Sequence, residues 1–460
     1  MTATEIRLAS RPKGWPTLDN FEMVAVELPA VTDGHVLVRN QFMSVDPYMR
    51  GRMNDVKSYV PPFQIGAALQ GGAIGEVVES RDPSLRPGAI VQSMRGWRDL
   101  FVAPATELRE VDASIQPLSA HLGVLGMPAM TAWIGLFKIA QLQPGERVFV
   151  SGAAGAVGSI AGQLAKLHGC FVVGSAGSAD KVRLVTEEFG FDAAINYRDL
   201  PPAKGGTTAS SLQRALAEAA PEGIDVYFDN VGGDHLEAAM GCMRDHGRIA
   251  VCGSISRYND ETPAPGPRNM FVVVTRRLTM RGFLVLDWGQ ESKAFHAEVA
   301  PLVASGRLKW RETVVNGLAT ESFSRSSRRR RGTKWVGSAG GRRRARSTAD
   351  RLATFVVMCP SRLGSHVVSV VRARRHLSSR CSEWGRRTEA SASTCREETR
   401  CPRSIESMPR RNFEKARGGS RSRVRCSSSA ASSRSSTRCG RSSTTTRYRT
   451  MSRRSCSNTI

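Results

Sequence analysis

The stretch RVFVSGAAGAVGSIAGQLAKLHG, Arg147 to Gly169, constrains this chain more than any other. Val148, Phe149 and Val150 form a short apolar run suited to a buried parallel strand. The chain then turns through Gly152, Gly155 and Gly158 into a segment where Val157, Ile160, Ala161, Leu164 and Ala165 recur at helical spacing. A strand, a glycine turn and a helix in that order let the backbone approach a pyrophosphate, with unsatisfied helix N–H groups and the positive dipole end aimed at it. Three spaced glycines alone would be an ordinary tight turn. The flanking strand and helix make them a candidate dinucleotide site.

From Gly169 onward strands and helices alternate. Cys170–Gly174, Ala193–Tyr197, Ile224–Asp229, Arg248–Gly253 and Leu278–Val285 read as strands, with helices at Asp180–Phe189, Leu212–Ala220 and Leu236–Met243. A last helix, Glu298–Ser305, meets Gly306 as its stop signal. Such alternation predicts a parallel sheet with right-handed crossovers and ligands at the carboxyl ends of its strands. Upstream, the segments Met23–Leu28, His35–Gln41, Ala73–Glu79, Ala89–Met94 and Leu100–Ala103 are separated by glycine and proline turns, which predicts a compact β domain. Between Leu118 and Ile139, with Pro128 inside, the pattern shifts to helix.

Charge divides the chain. Of the 66 Lys and Arg residues 35 lie beyond Thr320, but only 8 of the 41 Asp and Glu do, so the net charge of +25 belongs to the last part. The body offers no basic patch for nucleic acid, whereas an arginine-dense segment attracts polyanions without specificity. Seven of the ten cysteines also lie beyond Thr320. The other three, Cys170, Cys242 and Cys252, sit in apolar contexts and read as buried small residues, which fits a reducing, cytoplasmic setting. The opening MTATEIRLASRPKGWP has no apolar core, and no run of 18 apolar residues occurs, so neither export nor membrane spanning is expected.

An NAD site wants Asp or Glu at the end of the second strand, where this chain has Gly174-Ser175-Ala176-Gly177-Ser178. Nothing anionic there repels a 2′-phosphate, and Lys181 follows in the next helix's first turn, which favours NADPH. Asp180 falls past the strand end and reads as a helix N-terminal acid. The body lacks a Gly-His-Glu zinc motif, a four-cysteine lobe and any His/Cys pair at ligand spacing, so no metal is expected. A Gly-x-Ser-x-Gly nucleophile elbow is absent too.

Several stretches together support a family resemblance: MSVDPYMRGRM (43–53), SYVPPFQIG (58–66), GMPAMTAW (126–133), AAGAVGS (153–159), FDNVGG (228–233), CGSISRYN (252–259) and RLTMRGFLV (277–285). With them the body resembles the zinc-free branch of the medium-chain dehydrogenase/reductase superfamily, in its group of prostaglandin reductases, alkenal/one reductases and bacterial curcumin reductases. The resemblance implies an α/β fold: a GroES-like β-rich catalytic domain at 1–125, completed by about 291–320, and a Rossmann nucleotide-binding domain with a doubly wound parallel sheet at 126–290. It also implies reduction of enone or enal double bonds with NADPH, and a homodimer. Carried over by position, Gly155, Ala156, Val157 and Gly158 line the pyrophosphate, and Lys181 and Tyr197 hold the 2′-phosphate and ribose. Asn230 and the run Cys252, Gly253, Ser254, Ile255, Ser256 to Tyr258 contact the nicotinamide half, and Phe283, Leu284 and Val285 flank the nicotinamide ring. Tyr258 polarises the substrate carbonyl, and Tyr59 and Met130 shape the pocket.

The resemblance ends near Gly317–Thr320. An apolar helix, a glycine and asparagine turn and a final valine-rich strand should follow, but the chain continues RSSRRRRGTKWVGSAGG. Residues 321–460 read as a disordered basic tail, because serine and arginine runs cannot bury enough apolar surface to offset their ordering entropy. Arginine vastly outnumbers lysine there, as translation of GC-rich DNA in a shifted frame would give; reading the coding DNA in its other frames tests that origin. Without its last strand the β domain should be weakened, which leaves open a protein that binds NADPH without turnover, or one that binds polyanions through its tail.

Overall fold

The computed structural model describes residues 1–201, 207–318 and 368–372. The chain opens with β1 (Thr2–Leu8) and β2 (Phe21–Glu27), then β3 (His35–Ser44), α1 (Tyr48–Arg52), β4 (Ala73–Ser80), β5 (Ile90–Ser93), β6 (Leu100–Pro104) and β7 (Arg109–Glu110). β1 and β2 pair antiparallel along their whole length. Alternate residues of β1 face inward, so Ile6 and Leu8 are fully buried beside Met43, Met49, Met53 and Trp97.

The second part starts with α2 (Met127–Trp133), in which Pro128 occupies the first turn, where its missing N–H costs nothing. Then come β8 (Arg147–Val150), α3 (Ala156–Leu167), β9 (Phe171–Ala176), α4 (Ala179–Arg183), β10 (Ala193–Asn196), α5 (Thr208–Ala219), β11 (Ile224–Asp229), α6 (Gly233–Cys242), β12 (Met243–Val251), α7 (Phe271–Thr275), β13 (Thr279–Gly282) and α8 (Ser292–Ala304). Six of these strands form one parallel sheet in the order β10-β9-β8-β11-β12-β13. The sequence runs outward in both directions from the β8/β11 boundary. That boundary is the switch point where a doubly wound sheet opens a crevice at its carboxyl edge. Val148, Phe149 and Val150 are fully buried, and the Phe149 ring stacks on Tyr227 of β11 at 5.1 Å. Behind the sheet, Trp133 donates its ring N–H to Glu298 of α8 and packs edge-on against Phe295, joining α2 to the end of the chain's body.

The last described elements extend the β domain's sheet. β14 (Glu312–Asn316) pairs parallel with β15 (Val368–Arg372), and β15 pairs antiparallel with β3, placing Val370 opposite Ser44. The β domain's sheet therefore runs β14-β15-β3-β4-β5-β7, with β6 also on β3. Within the span read as a disordered tail, the stretch VSVVR forms a strand beside β3. Its β-branched valines suit a ladder, a local signal masked by the arginine and serine around it. The other residues of 321–460 lie outside the described residues, as does the asparagine contact expected after 320.

Candidate active site

The crevice is built first by the turn after β8. Gly152 has φ +62°, and a Cβ on Gly158 would lie 2.4 Å from the Gly152 carbonyl oxygen. Only glycine fits both places. Gly155 caps α3 in extended conformation, and no side chain caps the first turn of Ala156, Val157 and Gly158. A 12-residue helix thus presents its N–H groups and positive end at the crevice mouth.

At the next strand end, Ser175 is buried and Ser178 caps α4, accepting the Lys181 backbone N–H at 3.4 Å. Asp180 pairs with Arg183, in keeping with its reading as a helix-end acid. The Tyr197 hydroxyl and Arg198 Nε both converge on Gly177, whose added Cβ would meet them at 3.0 and 3.2 Å. The Arg198 guanidinium lies 5.7 Å from the Tyr197 ring centroid, and His235 meets the same ring edge-on at 4.8 Å. Burial pushes the His235 imidazole down to about 4. A glycine cradle, an uncapped helix end and hydroxyl and basic groups around Gly177, with no carboxylate at the strand end, fit a dinucleotide that carries a ribose phosphate.

Asp229, at the end of β11, organises the next wall. Its Oδ1 accepts from the Tyr227 hydroxyl at 2.6 Å, from the Val231 and Gly232 N–H groups at 3.0 and 2.8 Å, and from the Ser151 hydroxyl at 3.3 Å. Burial raises the Asp229 carboxyl above its ordinary range, against the pull of these donors. Ser151 in turn accepts the Asn230 N–H, and its carbonyl accepts the Asn230 side-chain amide at 2.8 Å. Asn230 is thereby fixed at the β8/β11 switch point. The Asp229 carbonyl also accepts the N–H groups of Cys252 and Gly253, which brings in the loop after β12.

That loop carries Tyr258. Ile255 and Ser256 donate N–H groups to Asn230 and Val231, and the Ser256 hydroxyl donates to the Val231 carbonyl at 2.6 Å. The Tyr258 hydroxyl accepts the Ser254 N–H at 3.4 Å. Burial raises its pKa, with the Ser254 contact opposing and Cys252, Tyr59 and Asp229 adding to the rise. Tyr258, Ile255 and Asn259 line a small cavity with Val45, Asp46, Pro47 and Arg50 from the β domain. Burial pushes the Asp46 carboxyl up to about 6, against its hydrogen bond from Ser44 at 2.7 Å.

The remaining expected residues lie around this centre. Tyr59 is half exposed, its hydroxyl raised by partial burial, against the pull of Arg52. Met130 lies in α2 and packs against the larger core. Phe283 stands edge-on to Phe228 at 6.4 Å, and Leu284 and Val285 lead from β13 into a short 3₁₀ turn. Ser151, Asp229, Arg198 and Arg50 were not singled out by sequence reading. Asp229 and Arg50 stand inside the quoted motifs, but their partners are set only by the fold.

Two family models match: "N-terminal domain of oxidoreductase" over residues 4–111 and "Zinc-binding dehydrogenase" over 156–304. The chain is 40% identical over 319 residues to a 2-alkenal reductase (NADP(+)-dependent) of Nicotiana tabacum, covering 68% of this chain and 90% of that one. It is 39% identical over 316 residues to the NADPH-dependent curcumin reductase of Escherichia coli, with 68% and 89% covered. The crystal structure of CurA from Vibrio vulnificus superposes with a TM-score of 0.67 at 32% identity, covering 81% of this chain and 99% of that one. The fold and the glycine cradle thus define a medium-chain dehydrogenase/reductase. Within that superfamily the chain belongs to the NADP-dependent oxidoreductases that include the alkenal, prostaglandin and curcumin reductases. Among the described residues no group of three or more His, Cys, Asp or Glu side chains is placed to hold a metal ion.

Proposed function

We propose that this protein reduces the carbon–carbon double bond of α,β-unsaturated aldehydes and ketones. The carrying observation is Tyr258, which lines a small cavity between the nucleotide sheet and the β domain. NADPH supplies a hydride when bound. Gly155–Gly158 hold its pyrophosphate, Lys181 and Tyr197 its 2′-phosphate and adenosine ribose, and Asn230, Cys252–Tyr258 and Phe283–Val285 its nicotinamide end. The double bond's π electrons move toward the carbonyl as the β-carbon gains the hydride, and the charge collects on oxygen. Tyr258 donates a hydrogen bond to that oxygen, stabilising the enolate more than the ground state. Water then delivers a proton to the α-carbon. Tyr59 and Met130 bound the apolar part of the substrate.

The test is NADPH oxidation with a 2-alkenal. Tyr258→Phe is expected to lower kcat about 100-fold while leaving the NADPH Kd within about twofold. An unchanged kcat would remove Tyr258 from the mechanism. The alternative reading is binding without turnover owing to an incomplete C-terminus, and NADPH binding with no 2-alkenal turnover would favour it. Polyanion binding concerns residues outside the described ones. The free thiols of Cys170, Cys242 and Cys252 support a cytoplasmic setting, and among the described residues no helix is long and apolar enough to cross a membrane. A second copy of the chain is the expected partner, on the strength of the family resemblance.

A further inference from the structure

We propose that Arg50 is a positioning residue that holds Tyr258 at the cavity by gripping Asn259, its neighbour. The inference rests on the reading of Tyr258 as the carbonyl-polarising group. Arg50 is only 8% exposed, and its guanidinium donates to three neutral oxygens from three places in the chain. Nε donates to Asn259 Oδ1 at 2.9 Å, Nη1 to Asn54 Oδ1 at 2.7 Å and Nη2 to the Gly14 carbonyl at 2.7 Å. Among the described residues no carboxylate is one of its partners. A buried cation satisfied only by amide oxygens is costly as a stabilising device and selective as a geometric one, because the planar fork fixes where each acceptor sits.

Two of the acceptors, Asn54 and Gly14, belong to the β domain, whereas Asn259 lies 209 residues away on the loop after β12. That loop is tied on its upstream side, where Ile255 and Ser256 bond to Asn230 and Val231. Downstream of Tyr258, the Arg50 bond ties it to the opposite wall of the cavity. Among the described residues the Tyr258 hydroxyl has only the long 3.4 Å contact from Ser254. Its direction is therefore set by the backbone on both sides, and Arg50 fixes one of them. Arg50 is itself part of the cavity wall, and its positioning role is exerted through Tyr258.

A double-mutant cycle separates positioning from mere stability. Arg50→Met and Asn259→Ala are each expected to lower kcat with a 2-alkenal about tenfold, with the NADPH Kd unchanged within about twofold. Neither should lower kcat further in the Tyr258→Phe background, because the group they position is gone. Should Arg50→Met fail to fold, Asn259→Ala in both backgrounds carries the test from the other end of the bond. Equal losses with and without the Tyr258 hydroxyl, or no loss from either variant, would overturn the role of Arg50. An unchanged kcat in Tyr258→Phe alone would instead overturn the reading of Tyr258 and the positioning role with it.

Discussion

At Tyr197 two side chains of different character meet, the His235 ring against its edge and the Arg198 guanidinium near its ring. His235 is 5% exposed and its Nε2 has no partner among the described residues, so its imidazolium is disfavoured in the fold. The unfolded chain takes up this proton near pH 6.5 and the folded chain only near 4. Stability is therefore fully present above pH 6.5 and is lost as pH falls toward 4, by roughly 3 kcal/mol from this group. Thermal melts across that window should fall more steeply for the parent protein than for His235→Phe, and parallel curves would refute the assignment. Lys181 is expected to act on the other side of specificity. Lys181→Ala should raise the NADPH KM about tenfold and leave the NADH KM unchanged, since only the former carries the 2′-phosphate; an equal rise for both cofactors would exclude that role. Lys181 was proposed from a local pattern with a chemical meaning, and Tyr258 from the family resemblance. Arg50 and Asp229 were proposed from neither, because their importance lies in partners brought near by folding: Asn259 for one, Ser151 and Tyr227 for the other.

The elements of the parallel sheet were legible because buried parallel strands are continuous apolar runs and the crossover helices carry their own period. β1 was missed, since TATEIRL breaks its polar and apolar alternation at Thr4 and Glu5 and has no turn signal before it. The Asp180–Phe189 helix is a single run in the sequence, yet it is split in the structure into α4 and a wider turn at Leu184–Glu188. β15 was hidden because composition over a long window outweighs five residues. β13 stands at the open edge of the six-stranded sheet with all four residues exposed. Near it in the chain are Phe271 at 74%, Val274 at 66% and Leu286 at 62% exposure. Among the described residues no strand pairs with the outer edge of β13, and such an edge flanked by apolar side chains is what a second copy would cover. Sedimentation should show a dimer that Val274→Glu with Met280→Lys converts to monomer. A monomeric parent protein would rule this out.

Across the molecule, chemistry is expected where two bodies of different construction meet. The parallel sheet supplies a glycine cradle, Asn230 and the Tyr258 loop, and the β domain supplies the wall formed by Val45, Asp46, Pro47 and Arg50. The β domain's ladder is closed by β15 between β14 and β3, so the wall rests on a paired sheet. The enzyme is expected to reduce the carbon–carbon double bond and leave the carbonyl. NADPH carrying deuterium at its transferable position, turned over with a 2-alkenal, tests it in one mass and NMR measurement of the product. A saturated aldehyde with deuterium on the β-carbon and the carbonyl intact is expected; an allylic alcohol with deuterium on the carbonyl carbon, or no consumption of NADPH, would contradict it.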